Sequence, residues 1–317
     1  MRFHITLLFL FCLCITRAQK PVAFKYLNVE NGLSQSSVLA IAQDSKGFIW
    51  FGTRFGLNKY DSRNFKIYKK ETNEEKSLSH SEYISSITIS KDGTLWIGTP
   101  YGLNKYNESA DNFDHFIYQE NNQSSISNSK INCIYEDSKN RLWVGTANGL
   151  NLLKSKKNSL FTRFLNDKNH PQQIYAITED NTGTIWLSAT DGLMNITFEK
   201  GKAKFKYFKS FSDQINKAID NHITSIIQDW ENNLWIGTKQ TGLNKLDLKT
   251  GNIVTYSYNS LNSAGISSNN IRKIIVDKTG KLWIGTFSFA YFALCLYHKL
   301  TAKVAGGFKQ FRVMLLF

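Results

Sequence analysis

The side chains able to do chemistry are scattered along this chain of 317 residues. Histidines stand alone at positions 4, 80, 115, 170, 222 and 298, and none has the helical setting a phosphoacceptor needs. No Cys-x-x-Cys, His-x-x-x-His or EF-hand spacing occurs, so no metal site is expected. Gly306-Gly307 is too weak a signal for a phosphate-binding loop, and no cofactor is expected. No catalytic residue is assigned. A carboxylate pair acting as acid and base would meet in space rather than in sequence, so glycan hydrolysis stays open. A sialidase needs three arginines on one substrate carboxylate. Of Arg54, Arg63, Arg141, Arg163, Arg272 and Arg312, only Arg54 falls in a loop predicted to face a ligand.

What recurs at fixed spacing is tryptophan. Trp50, Trp96, Trp143, Trp186, Trp235 and Trp283 follow one another at intervals of 43 to 49 residues. Each closes a phrase such as DSKGFIW (Asp44 to Trp50) or DKTGKLW (Asp277 to Trp283). Twelve residues before each stands Val38, Ile84, Ile131, Ile174, Ile223 or Ile271, and after five of them comes Gly-Leu-Asn or Gly-Leu-Met. Trp230 lies inside a turn, out of phase. A period of this size marks a stacked array, a solenoid or a propeller.

Each copy reads as four short strands. Val38 to Gln43 is too short and β-branched for a helix, and Asp44 to Gly47 is a hairpin turn. Phe48 to Gly52 alternates, with Trp50 on one face and Ile49 and Phe51 on the other, so both faces are covered. Gly56 to Tyr60 and Phe65 to Tyr68 follow as third and outermost strands. Such a unit is a propeller blade, so the fold class is all-β, a propeller of about six blades, five nearly complete and one partial. The tryptophan ladder is read as packing between sheets, where truncation to alanine costs about 3–5 kcal/mol. Cys133 falls in a slot held elsewhere by Ala40, Ser86, Ala176, Ser225 and Lys273, and is read as a buried thiol.

Arg2 and the apolar run Ile5 to Ile15, followed by Thr16-Arg17-Ala18, read as a signal peptide over residues 1–18. Export places the protein in the periplasm. The formal charge is +14, but the lysines are dispersed, so no nucleic-acid partner is expected. With two cysteines outside the leader, Cys133 and Cys295, the fold must be held by its core rather than by disulfides. Residues 19–286 form the propeller. From Phe287 the pattern stops and acidic residues and asparagine vanish, so 287–317 is an atypical tail, either frameshifted or a divergent last blade.

Positions that differ from copy to copy cluster in two loop sets, which a propeller brings to one face. They supply Arg54, Phe55, Tyr101, Asn148, Asp191 and Gln240 between second and third strands. Tyr83, Lys130, Gln172, His222 and Asn270 precede the inner strands. Aromatic rings for sugar faces, with amides and charges for hydroxyls or carboxylates, suit an oligosaccharide.

Asp44 to Asp61 (DSKGFIWFGTRFGLNKYD), Ser90 to Asn107 (SKDGTLWIGTPYGLNKYN) and the lead-in Asn31-Gly32-Leu33-Ser34 resemble the two-component regulator propeller repeat. The resemblance covers about residues 22 to 286. It implies the extracytoplasmic input region of a hybrid two-component sensor histidine kinase that regulates glycan use. The resemblance further implies a homodimer, with membrane helix and kinase lying beyond this chain. The chain itself lacks kinase motifs and is expected not to be an enzyme. The alternative is a secreted, stand-alone propeller that binds or hydrolyses glycans. A quinone-dependent dehydrogenase fits less well, because Asp277 to Trp283 is two residues shorter than that family's docking phrase.

Overall fold

The computed structural model describes residues 24–155, 160–165, 172–190, 192–208, 222–261, 265–287, 292–294 and 313–316. The leader, Asp191 and most of the tail lie outside them. Strand β1 (Phe24–Leu27) opens the chain, and a short 3-10 turn at Val29–Asn31 follows it. Blade 1 is β2 (Val38–Gln43), β3 (Ile49–Thr53), β4 (Gly56–Tyr60) and β5 (Phe65–Tyr68). Blade 2 is β6 (Ser86–Ile89), β7 (Leu95–Thr99), β8 (Gly102–Asn107) and β9 (Asn112–Phe116). Blade 3 is β10 (Ile131–Glu136), β11 (Leu142–Thr146), β12 (Gly149–Ser155) and β13 (Leu160–Phe164). Blade 4 is β14 (Ala176–Glu179), β15 (Ile185–Ala189), β16 (Gly192–Glu199) and β17 (Lys202–Phe208). Blade 5 is β18 (Ile223–Gln228), β19 (Asn233–Thr238), β20 (Leu243–Asp247) and β21 (Ile253–Tyr256). Blade 6 has three strands, β22 (Ile271–Val276), β23 (Leu282–Thr286) and β24 (Phe292–Leu294). Each blade is an antiparallel meander, and the blades form a β-propeller.

A single aspartate organises the hairpin turn in five of the six blades. In blade 1 one oxygen of Asp44 accepts the backbone N–H groups of Lys46 and Phe48, both at 3.0 Å. Its other oxygen accepts the Trp50 indole N–H at 2.8 Å. Gly47 supplies the positive φ of 89° that closes the turn. Asp137, Asp180, Asp229 and Asp277 hold their tryptophans in the same way, while in blade 2 Ser90 takes the Trp96 indole at 3.0 Å.

The clasped indole is a wall of the core between blades. Trp50 packs with Leu57 and Tyr68 of its own blade against Ile84, Leu95 and Ile97 of the next. Glycine at the second position after Trp lets the sheets approach. A Cβ on Gly52 would lie 2.5 Å from Ile84, and one on Gly98 would lie 2.7 Å from Ile131. Blade 4 has Ser188 there, fully buried, and its hydroxyl donates to the Ile223 carbonyl at 2.8 Å. The Asn-Gly-Leu-Ser lead-in also has a structural purpose. The Ser34 N–H donates to Asn58 Oδ1 at 2.9 Å, and its hydroxyl lies 2.9 Å from Thr53 Oγ1. Ser79 and Ser127 bracket their own blades identically.

Inner strands contact one another in sequence order, from β2 to β22. Among the described residues no comparable contact joins β22 back to β2. Strand β1 pairs antiparallel with β25 (Val313–Leu316) and not with blade 6. Its Leu27 packs instead on Phe51 and Tyr60 of blade 1. The ends of the array are correspondingly bare. Ile41 of blade 1 is 48% exposed where its counterpart Ile274 in blade 6 is buried. Among the described residues, a Cβ on Gly285 of blade 6 would meet only the Lys273 carbonyl, at 3.7 Å.

Candidate functional site

The turns between second and third strands and the segments entering the inner strands lie on one face, joined by backbone hydrogen bonds. The Ile84 N–H donates to the Thr53 carbonyl at 3.0 Å, and Lys239 N–H to the His222 carbonyl at 3.1 Å. A threonine anchors the turn in blades 1, 2, 3 and 5, where blade 4 has Ala189: Thr53 Oγ1 accepts the Phe55 N–H at 2.9 Å, and Thr99 Oγ1 accepts that of Tyr101 at 3.1 Å. Rigid turns thus present variable side chains.

The densest group sits where blades 1 and 2 meet. The Arg54 guanidinium lies over the Tyr83 ring, 5.8 Å from its centroid. The Lys69 ammonium lies 4.2 Å from the centroid of the Phe55 ring. Tyr101, 58% exposed, stacks on the His80 imidazole with centroids 4.2 Å apart and planes 21° from parallel. His80 is held in turn, with Nδ1 accepting the Glu82 N–H at 3.1 Å. Tyr83 has φ of +85°, a left-handed conformation unfavourable for a bulky side chain. Sequence analysis picked out Arg54, Phe55, Tyr83 and Tyr101 from this group but missed Lys69 and His80. Lys69 follows the outermost strand of blade 1, and His80 follows the bracket residue Ser79, where other copies have Gln35 and Asn128; only the fold brings the two beside the turns.

The other predicted residues are dispersed around the same face. Gln240 and His222 are exposed in blade 5. Asn148 is half-buried in blade 3, and its buried side-chain carbonyl makes no hydrogen bond. Asp191 lies outside the described residues. Gln172 departs from expectation: it is buried, and its carbonyl accepts the Gly149 N–H at 2.7 Å. Gln173 holds the position that matches Tyr83 and His222.

Two further polar clusters serve the scaffold. Asp111 Oδ1 accepts the hydroxyls of Tyr68 at 2.8 Å and Tyr106 at 2.6 Å, and Lys66 pairs with the same carboxylate. Burial, with the bond to Asp111, pushes Tyr106 up to about 12, so it is a neutral donor that ties blade 1 to blade 2. Arginines do not converge on one point. Arg141 pairs with Asp137, Arg163 donates to backbone carbonyls of Asn122 and Ser125, and Arg272 lies over Phe287.

Aspartate-clasped tryptophans, serine–threonine–asparagine brackets and four-stranded blades define a repeat-built β-propeller with its variable side chains on one face. Residues 32–55, 77–101, 125–148 and 265–288 match the model of the two-component regulator propeller. A histidine kinase, P4, of Formosa agariphila is 45% identical over 74 residues, which is 23% of this chain and 5% of that protein. The crystallised extracellular domain of a B. thetaiotaomicron protein described as a hybrid two-component system is 26% identical. The match has a TM-score of 0.57 and covers 84% of this chain and 41% of that one. A virginiamycin B lyase from Staphylococcus aureus shares the fold at 15% identity and a TM-score of 0.58, over 83% of this chain and 81% of its own. The chain therefore spans less than half the length of the kinase and of the hybrid-system domain that it matches.

Proposed function

We propose that this chain is a ligand-sensing input propeller of a hybrid two-component sensor, located outside the cytoplasm and exported by residues 1–18. An oligosaccharide binds on the loop face, with Arg54, Phe55, Tyr83 and Tyr101 at its centre and Asn148, Asp191, His222 and Gln240 around it. Binding shifts the equilibrium between two arrangements of paired protomers, and membrane and kinase parts beyond this chain carry the change inward. The likeness to an extracellular domain of a hybrid two-component system supports the sensor role and location. The observation carrying the ligand reading is the cluster of exposed rings on rigid turns at the blade 1–blade 2 junction.

Isothermal titration of the purified chain against a panel of oligosaccharides tests it. Saturable binding that Tyr101→Ala weakens supports the reading. A folded chain that binds none of the panel overturns it. Release of reducing ends from the panel would favour the glycan-hydrolysing alternative.

A further inference from the structure

Two cations of the loop rim, Arg54 and Lys69, form no ion pair among the described residues, and the geometry points to an acidic saccharide, bearing sulfate or carboxylate groups, as what the blade 1–blade 2 platform binds. This deepens the oligosaccharide reading above and rests on it. Ion pairs among the described residues lie along outer strands or on the opposite, hairpin-turn face, as Lys46–Glu108 and Arg141–Asp137 do. On the loop rim, cations rest on rings instead: Arg54 on Tyr83 and Lys69 on Phe55. Glu71, two residues from Lys69, and Glu82, beside Tyr83, are exposed and form no ion pair among the described residues.

The Arg54 guanidinium rests on a ring and pairs with no carboxylate among the described residues, so its N–H groups are available for two parallel bonds to a carboxylate or sulfate. The neighbouring rings of Phe55, Tyr83 and Tyr101 offer flat apolar surface to the C–H faces of a sugar. A neutral sugar laid across these rings would strip water from Arg54 and Lys69 without giving either a counter-charge, which disfavours it. An acidic sugar supplies the missing anion at the same place. Tyr83 alone in its row, which includes Lys130, Gln173, His222 and Asn270, is held at positive φ, and this fixes its ring beneath Arg54.

Calorimetric titration of the whole chain in physiological salt would use four probes of matched length. These are a sulfated, uronate-free carrageenan hexasaccharide, hexagalacturonate, neutral xylohexaose and hexaglutamate. Either acidic sugar should bind at least about tenfold more tightly than xylohexaose, and which one prevails identifies the anion. Arg54→Ala and Lys69→Ala should each cost about tenfold, Arg54→Lys should rescue only part, and Lys46→Ala on the opposite face should change nothing. Thermal melts of each variant establish that it is folded. Equal or tighter binding of xylohexaose overturns the acidic class while leaving the oligosaccharide reading intact. Binding of no sugar overturns both. Hexaglutamate binding as tightly as the acidic sugars, or acidic sugars indifferent to Arg54→Ala and Lys69→Ala, overturns the proposed platform.

Discussion

The carboxylate of Asp137, fully buried, accepts the Trp143 indole N–H at 2.8 Å and the Arg141 Nε–H at 2.6 Å, while also closing its own turn. One side chain thereby fixes the hairpin and the orientation of the ring that forms the core with the next blade. Asp137→Ala leaves the indole and two backbone donors without partners, and should destabilise the protein by about 2–4 kcal/mol in urea unfolding. Asp137→Ser should cost at least about 1 kcal/mol less, because Ser90 already performs the indole contact in blade 2. Equal losses for the two variants would show that the indole bond contributes nothing.

Glycine after the tryptophan reports whether a blade has a neighbour. Gly98→Ala drives a methyl to within 2.7 Å of Ile131 and 3.1 Å of Ser85 Oγ, and should cost about 1–3 kcal/mol. At Gly285 the new methyl meets only the Lys273 carbonyl, at 3.7 Å, so Gly285→Ala should leave the melting temperature unchanged. A loss at Gly285 as large as that at Gly98 would mean that another blade covers blade 6 in solution.

The blades were legible because close packing repeats: the indole recurs in all six, and the glycine two residues after it and the aspartate turn each recur in five, with Ser188 and Ser90 as the exceptions. The strands expected at Val38 to Gln43, Gly56 to Tyr60 and Phe65 to Tyr68 are those observed. The second strand begins one residue later than expected, at Ile49. The site was legible only in part. Arg54 and Tyr101 stand out against aligned copies; His80 varies too, following Ser79 as Gln35 follows Ser34 and Asn128 follows Ser127, but only the fold shows that its ring reaches Tyr101. Gln172 stands one residue before the matching position, which is Gln173, directly preceding Ile174. The pairing of β1 with β25 carries no sequence signal, since it joins the two ends of the chain.

Acid should loosen blade 6. Burial pushes the Asp277 carboxyl up, but bonds from the Thr279 hydroxyl, the Trp283 indole and the backbone of Lys281 and Thr279 together hold it down at about 2. Unfolded aspartate titrates near ~3.9. The folded state therefore binds this proton less readily, so the group stabilises above about pH 4 and loses its contribution as pH falls towards 2. Unfolding followed by tryptophan fluorescence should show Asp277→Asn less stable than the parent at pH 6, with the gap narrowing between pH 4 and 2. A gap independent of pH would sink this assignment.

Cys133 should be chemically silent in the native protein. Burial pushes its thiol up to about 12, and Sγ lies 3.8 Å from the Ile174 carbonyl of the next blade. Thiolate is the reactive form, so iodoacetamide at pH 8 should leave Cys133 unmodified until denaturant is added. Peptide mass mapping after timed alkylation measures this. Rapid native modification would mean that blades 3 and 4 separate readily.

Tyr83 sets stability against binding. A tyrosine at φ of +85° carries strain of about 1–3 kcal/mol, which glycine does not. The ring is 44% exposed, so little packing is lost with it. Tyr83→Gly should therefore melt at or above the parent temperature while losing affinity for the saccharide. Tyr83→Ala keeps the strain and loses the ring, and should melt below Tyr83→Gly. Calorimetric melts with parallel titrations separate the two effects. A glycine variant that is both less stable and unaltered in binding would show that the left-handed backbone serves the loop and not the ligand.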